Sequence, residues 1–344
     1  MNDTATENRL SLLEQAWALQ RSGDMPAIVR LLAPIPAEDL LAEPELGILL
    51  GFGWYHCGQG QQALELLDGL RHRLRREGNT RLHRRLQNLH AVVLFSQGAL
   101  VPAERLWTDL RQQSDVVGDT LTLSWAYTNL AVIADIQCRW EDALANAKRA
   151  AAAYWRLGDL RGIARSHHTM GMTYRQLGLL READTSFERA AAYLRHSGTV
   201  DEIAYTELER GLTLYMLRDA SLARANVHRA QERFIRLAHV RGQGDSLRVL
   251  AIFARYEGRL DEARRLLGSA LACVREAGDR LTEAEVLEEQ AVLEKLEGNL
   301  AGSTHRAGEA AVIFRALGAD RRGERMEERL RGIAAGSGTA RGVV

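Results

Sequence analysis

Lysine is almost missing from this chain: of 45 basic residues, only Lys148 and Lys295 are lysines. The bias reads as a coding preference, although the planar arginine fork also suits carboxylate recognition. Acidic residues likewise number 45, so the formal net charge is zero. That balance removes any general attraction to nucleic acid or to an anionic membrane. Cysteine is scarce too. Cys57, Cys138 and Cys273 are odd in number and far apart, which excludes a disulfide framework or a zinc-ligand spacing. All three fall in helical segments and are expected as small buried hydrophobes. No apolar run is long enough to span a bilayer. The opening MNDTATENRLSLLEQ carries acids and lacks the apolar core of a signal peptide, so a cytoplasmic location is expected. There is no glycine-rich phosphate loop, no HExxH and no GxSxG. No enzymatic activity, cofactor or metal is therefore expected.

What is present is a period. Ala63, Ala103, Ala143, Ala183, Ala223, Ala263 and Ser303 stand forty residues apart. A second column at the same step holds Gly78, Gly118, Gly158, Gly198, Ala238, Gly278 and Gly318. A third holds Gly58, Gly98, Cys138, Gly178, Arg218, Gly258 and Gly298. Three columns in register define a tandem repeat. Within one repeat, Ile163, Met170, Tyr174 and Leu177 fall at helical spacings, Gly178 breaks the pattern, and Ala183, Phe187, Ala190, Ala191 and Leu194 form a second apolar face before Gly198. Each half is thus an amphipathic helix ended by a left-handed glycine cap. Asn79, Asp119, Asp159 and Asp279 follow the turn glycines and are placed to cap the next helix. The small-residue column marks where the two helices of a hairpin cross, because a larger side chain there would overpack them. Phe187 and its equivalents Leu67, Trp107, Ala147, Val227, Leu267 and Ala307 fill the space one turn later.

The run Met170-Gly171-x-x-Tyr174-x-x-x-Gly178-x-x-x-x-Ala183-x-x-x-Phe187-x-x-Ala190 resembles the tetratricopeptide repeat signature. Leu50-Gly51, Trp54, Gly58 and Ala63, and Leu250-Ala251, Ala254, Gly258 and Ala263, are looser versions. The usual unit of that family is about 34 residues. Forty implies longer helices, similar to those in the sensor domains of MalT-like and other multidomain bacterial regulators and in some peptide-sensing receptors. The resemblance covers roughly residues 40–318. It implies an all-α, right-handed α-solenoid of stacked antiparallel helix pairs, with the first helix of each pair lining a concave binding face. Residues 1–43 then form a degenerate N-terminal helix pair and a proline-rich link, 44–318 seven repeats, 319–334 a C-terminal capping helix and 335–344 a flexible tail.

Register against Gly171 assigns side chains to that face. One column, Phe52, Val92, Val132, Met172, Leu212, Ile252 and Val292, is apolar throughout and reads first as core. Three others are mixed and contain Tyr55, Asn88, Phe95, Trp125, Asp135, Arg165, His168, Arg175, Tyr205, Tyr215, Arg248 and Arg255, with Tyr256 beside them. Aromatic and arginine side chains are the usual anchors of interfaces. Arg165, Arg175, Arg248 and Arg255 suggest a cationic inner wall suited to an extended peptide with acidic groups or a free carboxylate. The family's carboxylate clamp is not supported, since Asn88 and Asn129 lack its accompanying lysines. The pair His167-His168 points about 100° apart on a helix and does not chelate. Glu283, Glu285, Glu288, Glu289, Glu294 and Glu297 crowd one helix, either as a solvated face or as a docking site for a basic partner. Arg71 to Arg85 is a basic cluster with no interleaved aromatics to stack bases, so nucleic acid is not the expected partner.

The reading is a non-enzymatic scaffold that binds a peptide or protein segment in its concave groove. Its alternative is a ligand- or peptide-responsive sensor acting on a separate effector chain. The short N-terminal pair and the charged final helix are the surfaces on which a homodimer would form.

Overall fold

The computed structural model describes residues 2–74 and 80–334. Gly78, Asn79, the middle of the Arg71–Arg85 cluster and the tail at 335–344 lie outside them. Among the described residues there are eighteen α-helices and no strand. The chain divides into two compact units, residues 1–126 and 127–344.

The N-terminal unit contains α1 (Asn2–Ser22), α2 (Met25–Leu32), α3 (Ala37–Ala42), α4 (Pro44–His56), α5 (Gly60–Leu74), α6 (Arg81–Ser96) and α7 (Leu100–Val117). The division falls within α8 (Thr120–Ile136). The C-terminal unit continues with α9 (Trp140–Leu157), α10 (Leu160–Gln176), α11 (Leu180–Ser197), α12 (Val200–Met216), α13 (Ala220–Arg236), α14 (Val240–Tyr256), α15 (Leu260–Glu276), α16 (Arg280–Leu296), α17 (Leu300–Ala316) and α18 (Asp320–Ala334). In this unit α10 pairs with α11, α12 with α13, α14 with α15 and α16 with α17. The first helices α10, α12, α14 and α16 also touch in succession, forming an inner layer. Serial stacking of helix hairpins, expected from the period, is the architecture found.

The columns have the packing roles their chemistry demands. Ala63, Ala103, Ala143, Ala183, Ala223 and Ala263 are fully buried, and Ser303 nearly so. Leu67, Trp107, Ala147, Phe187, Val227 and Leu267 are buried behind them, whereas Ala307 is half-exposed in the last hairpin. Trp107 donates its indole N–H to Asn88 Oδ1 at 3.0 Å, which satisfies the polar edge of the largest side chain in that column. Asp119, Asp159 and Asp279 cap α8, α10 and α16 by accepting from the backbone N–H of Thr122, Gly162 and Thr282. Asp24, Thr80, Asp219, His239 and Asn299 do the same for α2, α6, α13, α14 and α17.

Two expectations are corrected. Gly198 ends α11 in extended backbone (φ −91°), so it is not a left-handed cap. Conversely, Cys138, Arg218 and Ala238, which replace glycine in the columns, all take positive φ (56°, 70° and 49°), held there by the turn they close. Cys138 therefore sits in a turn and is half-buried, and Cys57 is exposed just past α4. Neither is a core hydrophobe, because turn positions point away from the helix crossings. No helix among the described residues is long and apolar enough to cross a membrane.

The crossing constraint is testable at a glycine. A Cβ on Gly171 would meet the Phe187 ring at 2.8 Å, whereas one on Gly268 would meet nothing within 4 Å. Gly171→Ala is expected to destabilise the protein by about 1–3 kcal/mol, and Gly268→Ala to stabilise it by about 0.5–1 kcal/mol through better helix propensity. Urea midpoints of the two variants check both signs.

Candidate functional site

The inner layer of the C-terminal unit holds buried charge. Arg175 on α10 and Arg255 on α14 occupy equivalent repeat positions, and both are at least nine-tenths buried. A guanidinium in such a place must be matched. Arg175 donates Nη1 to the Glu209 backbone carbonyl at 3.0 Å, and its Nη2 lies 2.5 Å from Glu209 Oε2. Arg255 Nη2 lies 3.2 Å from Glu289 Oε2. In each case the carboxylate stands 34 positions after the arginine, on the next inner helix. Arg248 lies between Asp245 (3.7 Å) and Glu285 (3.1 Å). Arg241 meets Asp279 at 2.6 Å and Asp245 at 4.0 Å.

Of these groups, Arg175, Glu209, Arg248, Arg255, Glu285 and Glu289 line a cavity of about 420 Å³. Met172, Leu212 and Ile252 of the apolar column form part of its wall. Asp135, Arg175, Glu209, Arg248, Arg255, Glu285, Glu288 and Glu289 supply the charge, and α18 closes one side with Arg322, Arg325, Met326 and Arg329. Arg322 reaches Glu285 at 2.5 Å, and Arg329 donates to Glu288 and Glu289 at 3.0 Å each. Arg325 lies 4.2 Å above the Trp140 ring. The wall is thus charge-paired and not cationic, since the arginines carry carboxylates from neighbouring inner helices. The pairing is incomplete in its hydrogen bonds. Glu209 Oε2 and Glu289 Oε2 are met by guanidinium nitrogens as ion pairs at 2.5 and 3.2 Å, whereas Arg248 Nε, Arg255 Nε and Arg329 Nε are buried without a hydrogen-bond partner in the protein. Such atoms are costly unless water or a guest completes them.

Proton affinities follow the pairing. Burial drives the Glu289 carboxyl upward, but Arg329 and Arg255 outweigh it and bring it down to about 2. Glu209 and Glu285 are lowered by the same contest, with Arg175 and Arg248 prevailing at one and Arg322 and Arg248 at the other. At Asp135 burial prevails over the Thr173 hydrogen bond and the arginines, and the carboxyl is raised. Burial also pushes Asp245 up to about 7 against the pull of Arg248 and Arg241.

The other residues singled out from the sequence lie elsewhere. Arg165 is exposed on α10. His168 packs edge-on to Phe187 and its Nδ1 lies 3.2 Å from the Thr206 hydroxyl; burial lowers its pKa. Tyr205 packs against Phe234 beneath Arg241. Tyr215 stacks on Phe253 at 4.0 Å and donates to Glu257 Oε1. Tyr256 carries the Arg255 guanidinium 4.5 Å from its ring centre. In the N-terminal unit, Tyr55 meets His56, Phe95 meets Trp107, Asn88 holds the Trp107 indole, and Trp125 is half-buried. Of the described Arg71–Arg85 residues, Arg84 pairs with Asp119 at 2.8 Å, and Arg85 lies over Trp17 and pairs with Glu45. No group of three or more His, Cys, Asp or Glu among the described residues is placed to hold a metal ion.

Glu209, Trp140, Arg322 and Arg329 were not singled out from the sequence. The equal offset of 34 from Arg175 to Glu209 and from Arg255 to Glu289 was the available signal. Nothing local marks the seating of α18.

No family model and no curated protein matches this chain. Among solved structures it is similar to a Rap protein complexed with competence and sporulation factor, with a TM-score of 0.70 and 14% identity over 96% of this chain and 98% of that one. It is similar also to a Rap conjugation gene regulator of a plasmid in complex with a Phr peptide, with a TM-score of 0.63 and 16% identity over 88% and 78% of the two chains. A signal transduction ATPase with numerous domains and a tetratricopeptide repeat sensor, from Pyrococcus horikoshii, gives a TM-score of 0.56 at 15% identity; there 94% of this chain aligns with 48% of that one. At such identities the likeness defines the fold. The protein has the tetratricopeptide-type helical-repeat fold.

The Glu289 pairing makes a pH prediction. Its folded pKa of about 2 lies below the unfolded value of about 4.3. The stabilisation is therefore complete above about pH 4.3 and is lost as the pH falls through the folded value. Glu289→Gln is expected to lower stability at pH 7 and to reduce the slope of unfolding free energy against pH in the acid range. Denaturation series from about pH 7 to 2 read both effects.

Proposed function

We propose that this protein is a non-enzymatic binding protein of the regulatory kind, and that the inner cavity of its C-terminal unit receives a short peptide or an extended protein segment. The observation that carries this reading is the cavity of about 420 Å³ walled by buried, ion-paired charges that still have hydrogen-bonding capacity to spare. Peptides offer backbone N–H and C=O groups and both termini. Their acceptors can meet the spare Nε–H groups of Arg248, Arg255 and Arg329 while side chains rest on Met172, Leu212 and Ile252. Two fold neighbours, one complexed with competence and sporulation factor and one with a Phr peptide, support the same class of guest. The paired wall favours a guest carrying both signs of charge over a purely acidic one. The sensor reading shares this cavity, and the neighbour described as having a repeat sensor supports it. A cytoplasmic location belongs to this proposal.

Charge reversal is a poor test here, because breaking a buried pair costs about 3–5 kcal/mol and would damage the fold. Filling the cavity is better. Met172 is half-buried and lines it without joining an ion pair. A thermal-shift screen of short zwitterionic peptides should yield binders that stabilise by about 2.7 kcal/mol at a hundredfold excess over Kd. Met172→Trp should weaken those binders at least about tenfold, a loss of roughly 1.4 kcal/mol, with little change in the unliganded melting temperature. Equal affinity in the variant, or no binder from the screen, would overturn the proposal.

A further inference from the structure

The helix that closes the cavity is built unlike the others. Nine of the fifteen residues of α18, DRRGERMEERLRGIA, are charged. Among its described side chains, the buried apolar ones are Met326 and Leu330. Its seat on the inner face is mostly polar: Arg322 on Glu285, Arg329 on Glu288 and Glu289, and Arg325 on Trp140. Just before it, the Gly318 carbonyl accepts from Gln137 Nε2 at 3.4 Å. Three of the glutamates crowded on α16, Glu285, Glu288 and Glu289, therefore meet arginines of α18, whereas Glu283 pairs with Arg275 and Arg280 and Glu297 with Arg264.

The carboxylates that hold α18 are shared. Glu289 gives Oε1 to Arg329, while its Oε2, near Arg255 Nη2, makes no hydrogen bond. Arg255 Nε is likewise unspent. Glu285 stands between Arg322 and Arg248. If α18 leaves, Glu289 can turn fully to Arg255 and Glu285 keeps Arg248, so neither is left as a buried unpaired charge. Release therefore gives up the Arg322 and Arg329 contacts, that of Glu288 among them, without leaving Glu285 or Glu289 beside no cation.

We propose that α18 is an internal gate. It occupies the acidic row Glu285, Glu288 and Glu289 as an intrachain stand-in for a guest, and its release opens the cavity. This adds regulation to the peptide-binding reading and rests on that reading only for the identity of the guest. A guest carrying a basic group would compete with Arg322 and Arg329 directly.

The test uses the full chain and needs no guest. Backbone hydrogen–deuterium exchange should show α18 opening well before α10 to α15. Raising NaCl from 0.1 to 1 M shortens screening from about 10 Å to about 3 Å. It should speed α18 exchange about tenfold while leaving the inner helices unchanged. R322E/R329E should remove α18 protection and shift Trp140 emission to the red. A synthetic peptide of residues 320–334 should then bind this variant and not the wild type. Loss of α18 protection without peptide binding, retained protection in the variant, or salt-independent exchange would each overturn the gate. The salt series keeps the test decisive if the double variant fails to fold. Failure here leaves the cavity as a peptide site, whereas Met172→Trp affects guest binding without touching α18 exchange.

Discussion

Everything at the inner face of the C-terminal unit depends on one electrostatic constraint: a buried guanidinium needs a buried carboxylate. Arg175 and Arg255 are carried inward by the same repeat position, and each finds its glutamate on the following inner helix. Desolvating either partner alone would cost several kcal/mol. The pair therefore also ties α10 to α12 and α14 to α16 in a fixed register. Because the charges balance one another, the cavity they enclose is polar without being strongly of one sign. The Nε–H groups of Arg248, Arg255 and Arg329 remain without partners in the protein, and this distinguishes the wall from an ordinary apolar core.

The scaffold that delivers these side chains is simple. Fully buried alanines at forty-residue steps let the two helices of a hairpin cross closely. Left-handed glycines such as Gly118, Gly158 and Gly278 end the preceding helix, and the aspartates after them start the next. With the crossing fixed, the first helix of every hairpin must present the same positions to the same side. Functional variety is then confined to the columns the crossings do not use, and those columns hold the charged residues of the cavity.

The hairpin stack and its packing columns were readable in the sequence because they repeat, and a repeated position reports its environment several times over. The site was readable only in part. Asp135, Arg175, Arg248 and Arg255 lie on the cavity, but Tyr205 and Tyr215 are packing aromatics between helices, although they stand in the same columns. Column membership fixes which side of a helix a residue occupies, and the volumes of neighbours decide whether it meets space or another ring. The neutralisation of the arginines depended on partners in other repeats, and glutamates at 209 and 289 show no local pattern tying them to 175 and 255. The seating of α18 against Trp140 joins positions some 180 residues apart, and no periodicity encodes a contact made once.

The most direct measurement is a double-mutant cycle on the Arg175–Glu209 pair. Arg175→Met and Glu209→Leu are each expected to destabilise the protein by about 3–5 kcal/mol, because each leaves the other charge buried alone. The double variant should recover most of that loss, giving a coupling energy of at least about 2 kcal/mol. Additivity of the two single effects within about 0.5 kcal/mol would contradict the account. The inner wall would then not be held by paired charge.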